Sequence, residues 1–224
     1  MTWIPPKIWK GGRCIVIGGG PSLADQFDIP SELTAQVRDP SSPIGPDAYS
    51  PYMGIIHDEH VIAVNDSYRL GDWPDICHFG DYGWYKVHRE RLALWPGLKV
   101  THSPFFAERA RAKSEGIRYM PRDNDKRLGL SGHPRRLAWG FNTGSSAIDL
   151  AVHLGATKII LLGFDMRNGP AGETHWHQGH GPNRRPPSYA RHLRGFPAIA
   201  ADASMLGVEI INCSPRSAIT AFPV

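Results

Sequence analysis

Three histidines fall close together in Glu173-Thr174-His175-Trp176-His177-Gln178-Gly179-His180. An imidazole titrates near neutrality, so one of these would serve as a general base taking a proton from a hydroxyl. As neutral imidazoles, His175, His177 and His180 would equally ligate a metal ion. Spacing alone separates neither reading from a surface loop with incidental histidines. Arg167 precedes this stretch, and Arg184, Arg185, Arg191 and Arg194 follow it. Guanidinium groups clamp phosphate or carboxylate by paired hydrogen bonds, or form only a solvated basic face.

A second group of residues suits an anion or a nucleotide. Gly18-Gly19-Gly20-Pro21-Ser22-Leu23 follows an apolar run directly. Glycines let backbone approach a ligand closely, Pro21 fits the first turn of a helix, and Ser22 adds a hydroxyl. A strand-to-helix turn of this kind offers amide donors to an anion, although a tight turn without ligand has the same composition. The run is neither G-x-G-x-x-G nor a P-loop. Asn65 and Asp66 end one apolar run and Asp81 ends another. Asn65 and Asp81 are each placed to read a base or ribose edge, or, like Asp66, simply to cap the next helix. Asn142-Thr143-Gly144-Ser145-Ser146 opens the clearest helical stretch, combining a cap with exposed amides, and Asp165 follows Leu162-Gly163-Phe164 where a carboxylate would meet ribose hydroxyls.

Positioning these residues requires strand tips that share one edge. Short runs rich in β-branched residues predict strands over Arg13–Ile17, Val61–Val64, Asp75–Phe79, Leu98–Thr101, Ile117–Met120, Lys158–Leu162 and Val208–Ile211. Several are apolar at consecutive positions, as expected where helices cover both sheet faces. Helices are predicted over Tyr82–Leu94, Phe105–Ser114, Ser145–Leu154 and Tyr189–Met205, the last interrupted by Gly195 and Pro197. The alternation predicts an α/β fold: one Rossmann-like, doubly wound parallel sheet of about seven strands, with residues 1–224 as a single nucleotide-binding domain. Residues 28–60, 121–142 and 166–187 interrupt the rhythm. The first reads as an insert or lid, the last as an active-site loop, since long connections in compact domains are usually functional or disordered.

Composition narrows the classes. With 41% hydrophobic and 21% charged residues, the chain reads as an ordinary globular protein, and no apolar run reaches the roughly 18 residues of a membrane span. Cys14, Cys77 and Cys213 are odd in number and form no C-x-x-C pair, so free thiols in a reducing compartment are expected. With no secretory signal pattern at the N-terminus, the expected location is cytoplasmic. A net charge of +4 favours anionic partners, from nucleotides to polynucleotides.

In order and spacing, the segments from Cys14 to Leu23, Val64-Asn65, Thr143-Gly144-Ser145 before Leu154-Gly155, Leu162-Gly163-Phe164-Asp165, His175-Trp176 with Gly179-His180, and Cys213-Ser214-Pro215-Arg216-Ser217 resemble the bacterial sialyltransferases of glycosyltransferase family 42. The resemblance extends to the motility-associated factors, hydroxymethyl-dihydropterin pyrophosphokinases and small phage proteins of the same superfamily. It implies a seven-stranded parallel sheet and a CMP-sugar held by Gly20, Asn65, Thr143, Gly144, Ser145 and Asp165. It also implies a general base at His180, with His175 matching an earlier loop histidine after one inserted residue, and no metal cofactor. Where those enzymes carry tyrosines after the aspartate, Met166-Arg167 stands here, and residues 28–60 are longer. The resemblance therefore implies sugar transfer from a CMP- or UDP-linked donor to a saccharide or small hydroxylated acceptor. The alternatives are pyrophosphate transfer from ATP with magnesium, and a non-catalytic binding protein of the same fold. Arg122, Lys126, Arg127, Arg135, Arg136, Arg184 and Arg185 in the flanking loops leave modified DNA open as an acceptor, and a homo-oligomer is open as well.

Overall fold

A computed structural model describes residues 2–178 and 188–223, without the side chains of residues 109–111. The apolar runs form seven strands: β1 (Arg13–Ile17), β2 (His60–Val64), β3 (Ile76–Phe79), β4 (Leu98–Thr101), β5 (Ile117–Tyr119), β6 (Lys158–Leu162) and β7 (Glu209–Asn212). They pair in parallel in the order β5-β4-β3-β2-β1-β6-β7. In β1 and β2 four consecutive residues are buried behind one exposed residue, because layers of helix and coil cover both sheet faces. The chain moves outward from β1 to β5, then returns to lay β6 along the other side of β1. That reversal between β1 and β6 is a topological switch, outside which doubly wound sheets bind ligands.

The helices are α1 (Leu23–Gln26), α2 (Ser31–Arg38), α3 (Tyr82–Leu94), α4 (Arg109–Ser114), α5 (Thr143–His153), α6 (Tyr189–Leu193) and α7 (Phe196–Leu206). The α5 face bearing Ala147, Ile148 and Ala151 packs with Val16, Ile62, Leu161 and the α7 residues Phe196 and Ile199. The opposite face sets Ile15, Ile17 and Val61 against Leu23, Val37, Tyr49, Met53 and Trp176. An aromatic group of Tyr68, Phe79, Trp84, Tyr85 and Phe106 closes the β3–β4 side. Among the described residues no helix is long and apolar enough to cross a membrane.

Several boundaries differ from the sequence expectation. The helix expected from Ser145 starts at Thr143, because the Asn142 side chain accepts from the Ser145 amide at 2.8 Å and caps it two residues earlier. The helix expected over Tyr189–Met205 is two, broken at Gly195 with Pro197 in the first turn of the second. That expected over Phe105–Ser114 splits into a 3-10 turn at Pro104–Phe106 and α4. Residues 28–60, expected to be irregular, hold α2 and an eleven-residue 3-10 segment, Pro46–Ile56. Pro46, Tyr49, Met53 and Ile56 are its buried positions, spaced three, four and three residues apart, and Pro51 inside the segment hides that helical periodicity from a sequence reading.

Candidate functional site

The carboxyl ends of the strands open into a cleft of about 570 Å³, within the range of small-molecule sites. Its floor is Gly18–Gly20 after β1, Asn65 after β2, Gly80 and Asp81 after β3, Gly163 and Phe164 after β6, and Thr143 and Gly144 at the start of α5. His175, His177 and Arg167 line it from the 166–178 loop. Arg122, Trp139 and Phe141 come from the 121–142 loop, and Tyr189, Arg191 and His192 from α6.

The glycine turn is held by its own neighbours. Gly18 and Gly20 amides donate to Leu162 and Gly163 carbonyls, both at 2.8 Å. Asp165 accepts from the Ser22 hydroxyl at 2.9 Å and the Ser22 amide at 3.4 Å. A Cβ at position 20 would stand 1.9 Å from the Asp165 carboxylate and 2.5 Å from the Gly163 carbonyl, so glycine is demanded by close packing. Burial pushes the Asp165 carboxyl up while the Ser22 bonds pull it down, and the net shift is upward. Asp165, Ser22 and Pro21 line a neighbouring cavity, which Arg167 shares with the main cleft.

The histidine loop is tied to the same turn. Trp176 is fully buried; its amide donates to Gly19 O and its indole N–H to Gly18 O, both at 3.1 Å. Residues 28–60 brace it from behind: Tyr49 packs against Trp176 with ring centroids 5.4 Å apart, Arg38 pairs with Glu173 at 3.1 Å, and the Gln178 amide donates to Asp39 O at 3.1 Å. The loop therefore places His175 against Gly19, where a Cβ would lie 3.1 Å from the imidazole. His175 Nδ1 is 2.8 Å from the Thr174 hydroxyl, and its ring lies 5.0 Å from that of His177. Burial lowers His177 to about 3, against the opposing pull of Asp66. Burial raises the Asp66 carboxyl, but His177, His88, the Trp84 N–H and Arg69 together hold it below its ordinary value.

Three buried carboxylates shape the 121–142 loop. Asp149, inside α5, accepts from the Ser131 amide at 3.0 Å and the Ala138 amide at 2.8 Å. Asp202 of α7 accepts from the Leu130 amide at 2.8 Å, and Asp123 from the Ser131 hydroxyl at 2.6 Å. The loop thereby presents Trp139 and Phe141, edge to face at 4.7 Å, with Arg122 4.6 Å from the Trp139 ring and Arg191 5.1 Å from the Phe141 ring.

Two features mark the cleft as a place that costs stability. Asp28, Asn65, Phe141 and Met166 are the non-glycine residues with positive φ among those described, and all but Asp28 line the cleft; such backbone concentrates at functional sites. Asn65 Oδ1, His102 Nδ1, Arg122 Nε, Trp139 Nε1 and the Tyr189 hydroxyl are buried without a hydrogen-bond partner among the described residues, and all five residues line the cleft. Native interiors rarely leave such groups unpaired, and their gathering on one cleft sets it apart from the rest of the core.

Of the residues singled out from sequence, Gly18, Gly19, Gly20, Asn65, Asp81, Thr143, Gly144, Arg167 and His175 meet in this cleft. Asp81 is also the cap of α3, accepting from the Gly83 and Trp84 amides. Ser145 is buried beneath the floor, its hydroxyl accepting from Asn142 at 2.8 Å. His180, Arg184 and Arg185 lie outside the described residues. Among the described residues no group of histidine, cysteine and carboxylate side chains is arranged to hold a metal ion; the His175–His177–His180 set falls partly outside them. Sequence reasoning missed His102, Trp139, Phe141, Tyr189 and His192 as cleft residues. The one signal was the mixture of arginine and aromatic residues around a loop too long to be a plain connection.

No protein-family model matches the sequence, and no curated protein matches it. In three dimensions the chain is similar to the MAf glycosyltransferase from Magnetospirillum magneticum AMB-1, at a TM-score of 0.61 and 15% identity, over 99% of this chain and 35% of that one. It is also similar to the sialyltransferase CstII from Campylobacter jejuni, whose structure holds a substrate analogue, cytidine-5'-monophosphate. There the TM-score is 0.50 and the identity 12%, over 94% of this chain and 83% of that one. The chain spans about a third of the length of the first protein. At these identities the likeness establishes a glycosyltransferase-like fold.

Proposed function

We propose that the protein is a glycosyltransferase that moves a sugar from a CMP- or UDP-linked donor to a hydroxyl acceptor. The observation that carries this reading is the cleft at the switch between β1 and β6, with unpaired polar groups gathered on its walls. The fold it shares with two glycosyltransferases, one holding cytidine-5'-monophosphate, agrees with it.

In this proposal the nucleotide lies across the strand tips. Asn65, with its free Oδ1, reads the base or ribose. The phosphate sits near Thr143, Gly144 and Arg167, because amides of the glycine turn are already engaged. Gly18–Gly20 supply close approach, and Asp165 acts on the donor through the turn it braces. The acceptor hydroxyl gives its proton to a loop imidazole, His180 or His175, as its oxygen attacks the anomeric carbon and the nucleotide leaves with the bonding electron pair of the broken C–O bond. The reading assigns no metal to this step. The acceptor is a saccharide or another small hydroxylated molecule.

A positioned base contributes about 10²–10⁴-fold in rate. His180→Ala and His175→Ala are therefore expected to separate the base from its neighbour, one losing most turnover while retaining donor affinity. Thermal shift with CMP, UDP, GDP, ADP and ATP, each with and without magnesium, tests the donor. Ligand at about 100 times its Kd adds about 2.7 kcal/mol to stability. A metal-independent shift by CMP or UDP is expected; a shift confined to ATP with magnesium would replace sugar transfer by pyrophosphate transfer.

A further inference from the structure

One buried carboxylate at the cleft has no part in the reaction proposed above. Asp66 stands in the turn that follows β2. It accepts from the Trp84 indole N–H at 2.8 Å and lies 3.5 Å from Arg69 and 3.5 Å from His88 Nε2. His88 is fixed in turn, its ring stacked on Trp84 at 4.3 Å and its Nδ1 3.1 Å from the Tyr68 hydroxyl. These contacts hold the Asp66 carboxylate in one orientation.

The turn bearing Asp66 and the histidine loop meet at one atom. The Ser67 hydroxyl donates to Gly18 O at 3.0 Å, and the Trp176 indole donates to the same oxygen at 3.1 Å. Asp66, His175 and His177 all line the cleft. Burial dominates the charge of Asp66 and of His177; after it, each is the largest influence on the other, ahead of His88, His175 and Arg69. A Cβ placed on Gly19 would lie 3.7 Å from His177 Nε2 and 4.0 Å from His175 Nε2, so both nitrogens converge over the glycine turn. The His175 ring lies 5.0 Å from that of His177, with Nδ1 2.8 Å from the Thr174 hydroxyl. With Nδ1–H donating to that hydroxyl, Nε2 is the basic nitrogen.

We propose that Asp66 is the positioning residue of the histidine loop: it holds His177, whose ring sets His175 with Nε2 over the glycine turn as the base. The inference rests on the sugar-transfer reading for the reaction it serves, and it chooses His175 over His180. A carboxylate only accepts, whereas a neutral imidazole donates from one nitrogen and accepts at the other, so Asp66 fixes the tautomer and plane of His177. The acceptor's proton passes to His175 Nε2 as its oxygen attacks the anomeric carbon. The fixed negative charge of Asp66 stabilises the imidazolium that forms.

The test reads the imidazoles first and the reaction second. Long-range proton–nitrogen NMR of the whole protein at neutral pH reports the tautomers of His175 and His177, with His175→Ala and His177→Gln assigning the signals. Asp66→Asn keeps an acceptor for the Trp84 N–H and removes the charge. It is expected to move the ring nitrogens of both His177 and His175. It should also lower kcat for nucleotide release from the CMP- or UDP-sugar about tenfold to a hundredfold, part of the about 10²–10⁴-fold that a base supplies, with the donor KM unchanged. His177→Gln is expected to move the His175 signals and give the same loss, and it carries the test if Asp66→Asn does not fold. Unmoved His175 signals in either folded variant overturn the proposal. Moved signals with native kcat, or a loss confined to KM, overturn the positioning role. If the native protein releases no nucleotide from any sugar donor, the sugar-transfer reading fails, and the spectra alone decide whether Asp66 holds the loop.

Discussion

Acidification will weaken this fold through histidines buried without charge. His78 is fully buried, with Nε2 2.8 Å from the Ser146 hydroxyl beneath α5. Burial lowers it to about 3, lowers His177 to about 3, and lowers His102 well below its ordinary value. In the unfolded chain each would take a proton near pH 6.5. Between that value and about 3 the unfolded state binds protons that the native state refuses, so stability is full above pH 6.5 and lost as pH falls. From pH 7 to pH 5 each such histidine costs about 2 kcal/mol. Asp149 and Asp165 oppose this, since burial raises both carboxyls and the native state then holds protons more readily than the unfolded chain. The clean measurement is a difference between proteins: urea unfolding of the native chain and of His78→Gln at pH 7, 6 and 5. Glutamine keeps a partner for Ser146 and removes the titration, so the variant should lose about 1.4 kcal/mol less per pH unit below 6.5. Parallel loss in both proteins would refute the reasoning, because it would mean that His78 accepts its proton inside the fold.

Other substitutions separate scaffold from chemistry. Gly20→Ala would drive a methyl group into the Asp165 carboxylate and the Gly163 carbonyl, and is expected to cost about 1–3 kcal/mol by overpacking and to abolish the CMP thermal shift. Gly19→Ala meets no backbone, only the His175 side chain at 3.1 Å and the His177 side chain at 3.7 Å; it should leave the unfolding midpoint within about 0.5 kcal/mol of native and lower turnover with donor affinity retained. Trp176→Ala removes a fully buried indole that pins the histidine loop, and chemical denaturation should show a loss of about 3–5 kcal/mol. A loss below 1 kcal/mol would mean that the loop does not depend on this anchor.

The strands were legible because their information is local. β1, β4 and β6 fall on the runs predicted, and the other strands differ by a residue at one or both ends. Consecutive apolar residues predicted burial on both faces, and Gly195 with Pro197 foretold the break between α6 and α7. The 28–60 segment was not legible, since Pro51 argues against a helix where the structure holds a 3-10 run, and its purpose appears only when Tyr49 meets Trp176.

The cleft divides along the same line. Sequence by itself determined the fold class, the shared edge of the strand tips, and the chemical types brought there: glycine turn, Asn65, Asp81, Thr143, Gly144 and the histidine loop. Tertiary structure decided which atoms remain free. The Ser22 hydroxyl goes to Asp165 across 143 residues, the Trp176 indole to Gly18 across 158, and the amides of Ser131 and Ala138 to Asp149. The first of those bonds removes a hydroxyl that sequence offered to a ligand, and the others set the loops so that Arg122, Trp139 and Tyr189, which sequence did not group together, line one cleft. Strand and helix propensities act over a few neighbouring residues, whereas the satisfaction of a buried polar group is settled by whichever partner the completed fold carries within hydrogen-bond reach.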